Sequence, residues 1–375
     1  MAVEARAVTA LAAILREMIL SDGPMTVARY MALCLGHPQH GYYITRDPLG
    51  RGGDFTTAPE ISQMFGELLG LWVADTWQRM GAPGVFGLVE LGPGRGTLMA
   101  DALRAARALP GFTAAVEVHL VETSPVLRQA QGRALAGARK TVEWHETIDT
   151  LPGDRPLIVL ANEFFDALPI RQFVQAGGVW RERLVGLDAA GTLVFGLSGE
   201  AAEVALPEAP EGALREACPD GVAIITALGA RLAAQGGALL AIDYGYAVSA
   251  AGDSLQALRA HRFDDVLAAP GEADLTAHVD FAALAAAGRR AGLSAHPLLS
   301  QHTLLARLGI GVRAGALMRA APAQAGEIEA AGRRLTGLEK GGMGGLFKAL
   351  CLTAPGLAAP AAFDSPDPVI ASLTA

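Results

Sequence analysis

The stretch VELGPGRGTL, Val89 to Leu98, sets three glycines, Gly92, Gly94 and Gly96, two residues behind a glutamate, Glu90. Glycines between an apolar run and a helical pattern let backbone come close to a nucleotide-like ligand. A Walker phosphate loop needs a Gly-Lys pair, and the chain contains none. A dinucleotide loop, G-x-G-x-x-G, needs its third glycine where Thr97 stands. Glu90 would also repel a pyrophosphate docked on the helix N-terminus. A ligand with an ammonium and a sulfonium suits that acid better. S-adenosylmethionine has both, and its carboxylate can meet backbone N–H groups of the loop. Glu122, in LVETS, ends the next apolar run, where an acid accepts hydrogen bonds from ribose hydroxyls. Against these stands the plainer possibility that the glycines make an ordinary tight turn. A further polar group, Asn162, Glu163 and Asp166 in ANEFFDALP, follows another apolar run, and Asp243 follows the run GALLAI. Ligands of parallel sheets sit at the carboxyl ends of the strands, so these residues should face the reacting atoms.

The elements that must position these residues alternate. From Val85 on, the chain reads strand (VFGLVEL), helix (TLMADALRAARAL), strand (VEVHLVE), helix (SPVLRQAQGRAL), strand (TVEWHETI) and apolar strand (PLIVLAN). LREACPDGVAIITALGARLAAQG then reads as helix and GALLAIDYG as a buried strand. Continuous apolar strands alternating with helices predict a parallel α/β sheet. Turn signals AGG and DAAG predict β-hairpins near 170–200, and a second insertion ending in a helix occupies 247–290. LSAHPLLSQHTLLARLGI and LFKALCLTAP are candidates for the last strands, and residues 356–375 read as a loosely held tail. Residues 1–82 form a helical segment with a long loop, and 83–355 the core. Thr57 and Glu60 match a capping box at the head of the helix EISQMFGELLGLWVADTWQRM. Thr57 is also a candidate contact of the cofactor, as are Asp54 and Thr56, and Arg51 is a candidate partner for a carboxylate; Tyr42, Tyr43 and Phe55 either enclose a ligand or pack in the core.

Of the 375 residues about half are apolar, enough for a large core. A net charge of −8 argues against a nucleic-acid partner. Three separated cysteines suggest neither a disulfide framework nor a zinc cluster, and His37 and His40 have no partner at metal spacing, so no metal is expected. AVTALAAIL resembles the apolar part of a signal peptide. Leu11, Ile14, Leu15, Met18 and Ile19 fall on one helical stripe, however, and Glu4 stands where a signal peptide wants positive charge. The expectation is a protein without membrane insertion, in the cytoplasm of a bacterium or in a mitochondrial matrix.

GDFTTAPEISQMFGELLGLW, ELGPGRGTLMADALR, LVETSPVLRQAQ, ANEFFDALPIRQF, IDYG and DLTAHVDFAAL together resemble the MidA-type methyltransferases, relatives of the mitochondrial complex I assembly-factor methyltransferases. The resemblance spans nearly the whole chain; the glycine-rich EKGGMGGLF departs from the family's more ordinary Met-Gly turn. It implies a seven-stranded class I methyltransferase fold, Rossmann-like, with S-adenosylmethionine as cofactor. For the mitochondrial members it further implies a protein substrate, an arginine in a core, quinone-proximal subunit of respiratory complex I. A guanidinium must be oriented and made nucleophilic, and paired carboxylates do this by accepting its fork and drawing charge from the attacking nitrogen. Glu163 and Asp166 are the candidates for that task, Asp243 is a further one, and Asn162 belongs nearer the methionine end of the cofactor. Any one of these acids would serve equally as a helix cap or a surface ion pair. His278 is a candidate for the border of a substrate channel. An assembly chaperone that binds the cofactor without using it, and less favourably a NAD-dependent oxidoreductase, are the competing functions.

Overall fold

The computed structural model describes residues 9–46, 57–138 and 140–374. Arg51, Asp54, Phe55 and Thr56 lie outside them. The described chain divides into two compact units, one of residues 9–46, 167–220 and 250–278, the other of residues 57–166, 221–249 and 279–374.

The second unit carries the sheet. Its path uses β1 (Phe86–Leu91), β2 (Val116–Val121), β3 (Val142–His145), β4 (Leu157–Asn162), β5 (Gly237–Tyr246), β6 (Ser294–Ala295) and β7 (Phe347–Thr353). The order across the sheet is β6-β7-β5-β4-β1-β2-β3, with the short pairs Val279–Asp280 and Leu299–Ser300 attached to β5 and β7. All neighbours from β5 to β3 run parallel, and only β7 is reversed against β5 and β6. This is the class I methyltransferase arrangement. Every residue of β1 and β7 is buried, which is why both strands are almost wholly apolar rather than alternating. The chain winds outward from β1 to β3 and returns to β4 beside β1, so the crevice between the ends of β1 and β4 is the topological switch point where such sheets bind ligands.

One face of β1 is covered by α1 (Gln63–Arg79) and α2 (Thr97–Ala106), joined in a core with Trp72, Trp77, Phe86 and Phe112. The two helices touch backbone to backbone. A Cβ on Gly70 would lie 2.4 Å from the carbonyl oxygen of Ala102, and one on Gly66 2.7 Å from the Cβ of Asp101. The expected long helix with its capping box is divided. Ala58–Ile61 forms a single turn, Ser62 takes an extended conformation, and its hydroxyl caps α1 by accepting from the Met64 N–H. Thr57 stands at the N-cap position of the short turn without a side-chain cap bond. Glu60 turns instead to α2, accepting from Thr97 Oγ1 at 2.6 Å.

The first unit is built by the N-terminal helices Ala10–Asp22 and Val27–Gly36, by the first insertion and by residues 250–278 of the second, whose closing helix Phe281–Arg290 belongs to the sheet unit instead. The Arg171–Ala176 and Val179–Leu187 hairpin turns at Gly177 and Gly178, and Leu193–Leu197 adds the next strand. Leu214–Ala217, expected as the start of a helix, is a strand paired with residues 171–174, and the helix α3 (Pro219–Gln235) starts only at its proline. Proline suits the first turn of a helix, where no N–H is needed, and not its interior. Tyr42 is fully buried in this unit's core and Tyr43 donates to Asp274, so both do structural work.

Residues 301–307, a strand candidate, form a helix capped by Ser300, and the C-terminal segment is not loose. Phe363 is buried, the Asp367 carboxylate accepts from Ser300 N–H and from Thr303 Oγ1, and Arg307 donates to the carbonyls of Ala362, Ser365 and Pro366. Backbone acceptors hold this proline-rich stretch where its composition offers little apolar surface. Among the described residues no helix is long and apolar enough to cross a membrane.

The backbone contact between α1 and α2 makes Gly70 sensitive. Gly70→Val is expected to destabilise the protein by about 2–3 kcal/mol in urea titration, because backbone, and not a flexible side chain, must move. Gly132→Ala, inside the helix Pro125–Leu135 where an added Cβ meets nothing within 4 Å, serves as the mild control.

Candidate active site

β1 ends in Glu90 and Leu91, and the chain turns through Gly92, Pro93, Gly94, Arg95 and Gly96 into α2. Gly92, Gly94 and Gly96 have φ of 59°, 53° and 83°, left-handed values that exclude most side chains. A Cβ on Gly92 would also meet the Phe164 ring at 2.9 Å. Gly92 N–H donates to Val121 O, and Gly96 N–H to Pro93 O, which tightens the turn.

Glu90 is buried, and its Oε2 has no hydrogen-bond partner. Burial, reinforced by the nearby Glu122, pushes its carboxyl up to about 8. An orphaned buried carboxyl oxygen is a strong demand for a donor or a cation. Glu122 is better provided: Oε1 accepts from Ser124 N–H at 2.8 Å and Oε2 from Gln131 Nε2 at 3.1 Å. Burial raises its pKa, and those two hydrogen bonds oppose the rise. The same Gln131 amide donates to Gly94 O at 2.8 Å, and its oxygen accepts from Trp144 Nε1 on β3. One glutamine thus ties the glycine loop, the second acid and the sheet edge together. Its sequence context, a mid-helix glutamine in α4 (Pro125–Leu135), carries no motif, so the sequence reading missed it.

At the end of β4, Asn162 Nδ2 donates to Glu163 Oε1 at 3.3 Å, and Asn162 Oδ1 is buried without a partner. Glu163 has φ 51°, rare for a side-chain-bearing residue, and a second donor to its Oε1 is the Ala58 N–H at 3.1 Å. Burial, with the neighbouring Asp166, pushes the Glu163 carboxyl up to about 7. Asp243, fully buried on β5, holds the turn. Its Oδ2 accepts from the successive N–H groups of Phe164, Phe165 and Asp166 at 3.0–3.2 Å, and its Oδ1 from Tyr244 N–H. Burial and the charges of Asp166 and Glu163 hold the Asp243 pKa well above the usual carboxylate range. Arg95 faces Glu60 Oε2 at 3.6 Å. His278 belongs to the other unit, where its N–H donates to Ser254 Oγ.

The residue set fits S-adenosylmethionine. The glycine loop leaves room for backbone approach, the orphaned Glu90 oxygen awaits a cationic donor, and Glu122 keeps free acceptor capacity for hydroxyls, since a carboxylate offers about four lone-pair sites. Residues 68–298 match the model of a family described as putative S-adenosyl-L-methionine-dependent methyltransferase. The mouse mitochondrial protein arginine methyltransferase NDUFAF7 is 40% identical over 84% of this chain and 78% of its own. The human protein of that name is 40% identical over 80% and 73%. A Burkholderia thailandensis protein crystallised bound to S-adenosyl-homocysteine superposes with a TM-score of 0.81 at 30% identity, covering 95% of both chains.

The raised Glu90 carboxyl predicts two linked effects. In the empty protein its protonated form is the favoured one, so its contribution to stability is present below the ordinary value of 4.5 and lost as pH rises through about 8. Glu90→Gln removes that loss and is expected to stabilise the empty protein by roughly 3 kcal/mol at pH 8.5 relative to pH 5. The same variant should bind S-adenosylhomocysteine at least tenfold more weakly by calorimetry. At pH 7 the parent should release close to one more proton on binding than the variant, read from buffers of differing ionisation enthalpy. The sequence family, the sheet order and the fit of the loop agree: the chain belongs to the S-adenosylmethionine-dependent methyltransferase family that includes the NDUFAF7 proteins.

Proposed function

We propose that the chain methylates an arginine side chain of a protein substrate, and that the substrate is a core subunit of respiratory complex I taken during assembly. The observation that supports an arginine acceptor is the acid group at the end of β4: Glu163, half-buried and in a left-handed conformation, beside the buried Asp166. The names of the relatives support the acceptor class, and the family resemblance supports the assembly context.

When bound, the cofactor supplies an electrophilic methyl carbon on a sulfonium. The chain's own residues do the rest. In this reading Glu90 meets the ammonium, Gly92, Gly94 and Gly96 give backbone approach, and Glu122 takes the ribose hydroxyls. Asn162, with its unpaired oxygen, lies between the loop's strand and the acid turn and lines the methionine end. Glu163 and Asp166 receive the guanidinium fork, which favours the carboxylate form of Glu163 and leaves one nitrogen directed at the methyl. Methylated guanidinium stays cationic, so the reaction releases one proton. The Glu163 carboxylate, whose burial favours its protonated form, is suited to accept it as the cofactor's sulfonium charge disappears. Asp243 is a positioning residue: by collecting three N–H groups it sets the turn that aims Glu163 and Asp166. Thr57 precedes the turn whose Ala58 N–H holds Glu163, so its contribution is to place that donor.

Mass spectrometry of complex I from cells lacking the gene, complemented with the parent or with Glu163→Gln, tests this. The variant should lower arginine methylation by about 10²-fold or more while binding S-adenosylhomocysteine within a few-fold of the parent. An unchanged methylation level in the variant, or no methylation lost with the gene, would overturn the reading. Restored assembly with an unmethylated subunit would instead favour a chaperone that does not depend on catalysis.

A further inference from the structure

His119 on β2 and Glu143 and His145 on β3 face one another across the outer parallel pair of the sheet. None of them belongs to the glycine loop or the acid turn. In the register Glu143 pairs with His119, and His145 follows two residues on, on the same face of β3. His119 Nδ1 stands 3.1 Å from His145 Nε2 and 3.4 Å from Glu143 Oε2, and all three ligand atoms lie within 4.8 Å of one another. Ligands about 2.05 Å from a tetrahedral zinc stand about 3.3 Å apart. Both imidazoles are buried, whereas the Glu143 side chain is 64% exposed, which leaves a route to solvent.

The outer nitrogen of His145 has the partner expected at a metal site. With both inner nitrogens on an ion, each outer nitrogen carries its proton. His145 Nδ1 then donates to Thr150 Oγ1 at 2.8 Å, and that hydroxyl donates on to Thr147 O. Such a partner orients a ligating histidine. His119 Nε2 is buried without a partner. A hydrogen bond between the two inner nitrogens, the alternative arrangement, leaves that same nitrogen unsatisfied and gives Glu143 nothing to do. Burial lowers the pKa of both rings and keeps them in the neutral, ligating form, with His145 adding to the effect at His119. The charges facing them are Glu117, Glu143, Arg128 and Arg155. Arg155 is itself paired with Glu117 and Asp154, and Arg128 donates to the Glu122 carbonyl.

We propose that His119, Glu143 and His145 bind one divalent transition-metal ion of the zinc class, with water in the fourth position, and that the ion clips β3 to β2. Two nitrogens and one carboxylate oxygen suit zinc better than magnesium or calcium, which take oxygen sets. The ion would hold the register of β3, which presents Trp144 to Gln131 and the His145 carbonyl to the Glu122 N–H. The clip therefore supports the acid that the cofactor ribose meets.

The test uses the whole chain, stripped with chelator and titrated with Co²⁺ and Zn²⁺. One Co²⁺ per chain should bind with the visible d–d absorption of a four-coordinate ion, and Zn²⁺ should displace it and raise Tm by several degrees. Glu143→Gln, on an exposed side chain, should keep the fold and weaken binding at least tenfold; His119→Gln should abolish it. Absence of stoichiometric binding by the parent, or binding undiminished in Glu143→Gln, would overturn the proposal. Neither readout depends on methyl transfer, so a failed clip leaves the cofactor site untouched.

Discussion

Carboxyl groups kept out of water at the ends of neighbouring strands are the constraint on which this molecule turns. Glu90, Glu122, Asp166 and Asp243 are buried and Glu163 half-buried, and burial drives the pKa of Glu90, Glu122, Glu163 and Asp243 upward. Such groups cannot all ionise beside one another without compensation. The backbone compensates some of them. Four N–H groups converge on Asp243, one on Glu122 and one on Glu163. The Glu90 oxygen is left without any such partner, and in the proposed reading it is met by a cation brought from outside. A site of this kind is matched to positively charged reactants because its own electrostatics are incomplete without them.

The scaffold follows from the same requirement. Parallel strands that end together can deliver acids from β1, β2, β4 and β5 to one edge, and the strand order puts β4 next to β1 there. Rigidity comes from the other side of β1, where Gly66 and Gly70 let α1 lie against α2, the helix that grows out of the glycine loop. Glu60 bonds the first residue of that helix. Packing and loop geometry are thus fastened at the same point.

Much of this was legible in the sequence. Apolar runs marked β1, β2, β4, β5 and β7, because strands buried on both faces leave no polar alternation to confuse them. The glycine spacing with Glu90 marked the loop, and the polar residues after the β4 and β5 runs marked the acid group. What was not legible depended on distant partners. Leu214–Ala217 has helix-compatible residues, yet a waiting strand edge at 171–174 took them. The proline-rich C-terminus looked unanchored because its anchors, Ser300, Thr303 and Arg307, are some sixty residues away. Gln131 and the pair His119 and His145 lie on different elements from the groups they meet, so no local spacing announces them.

The left-handed conformation of Glu163 has a consequence for how this fold can change. Glycine would occupy that position with less strain, and a neutral side chain there would spare the burial of an acid. Any pressure for a more robust protein alone, in a laboratory screen or in a lineage that has lost its target, therefore pushes the position away from glutamate. In the reading proposed above the strain is kept for chemistry, and a swap to glycine or asparagine there would be an early sign of a copy drifting into a purely structural life.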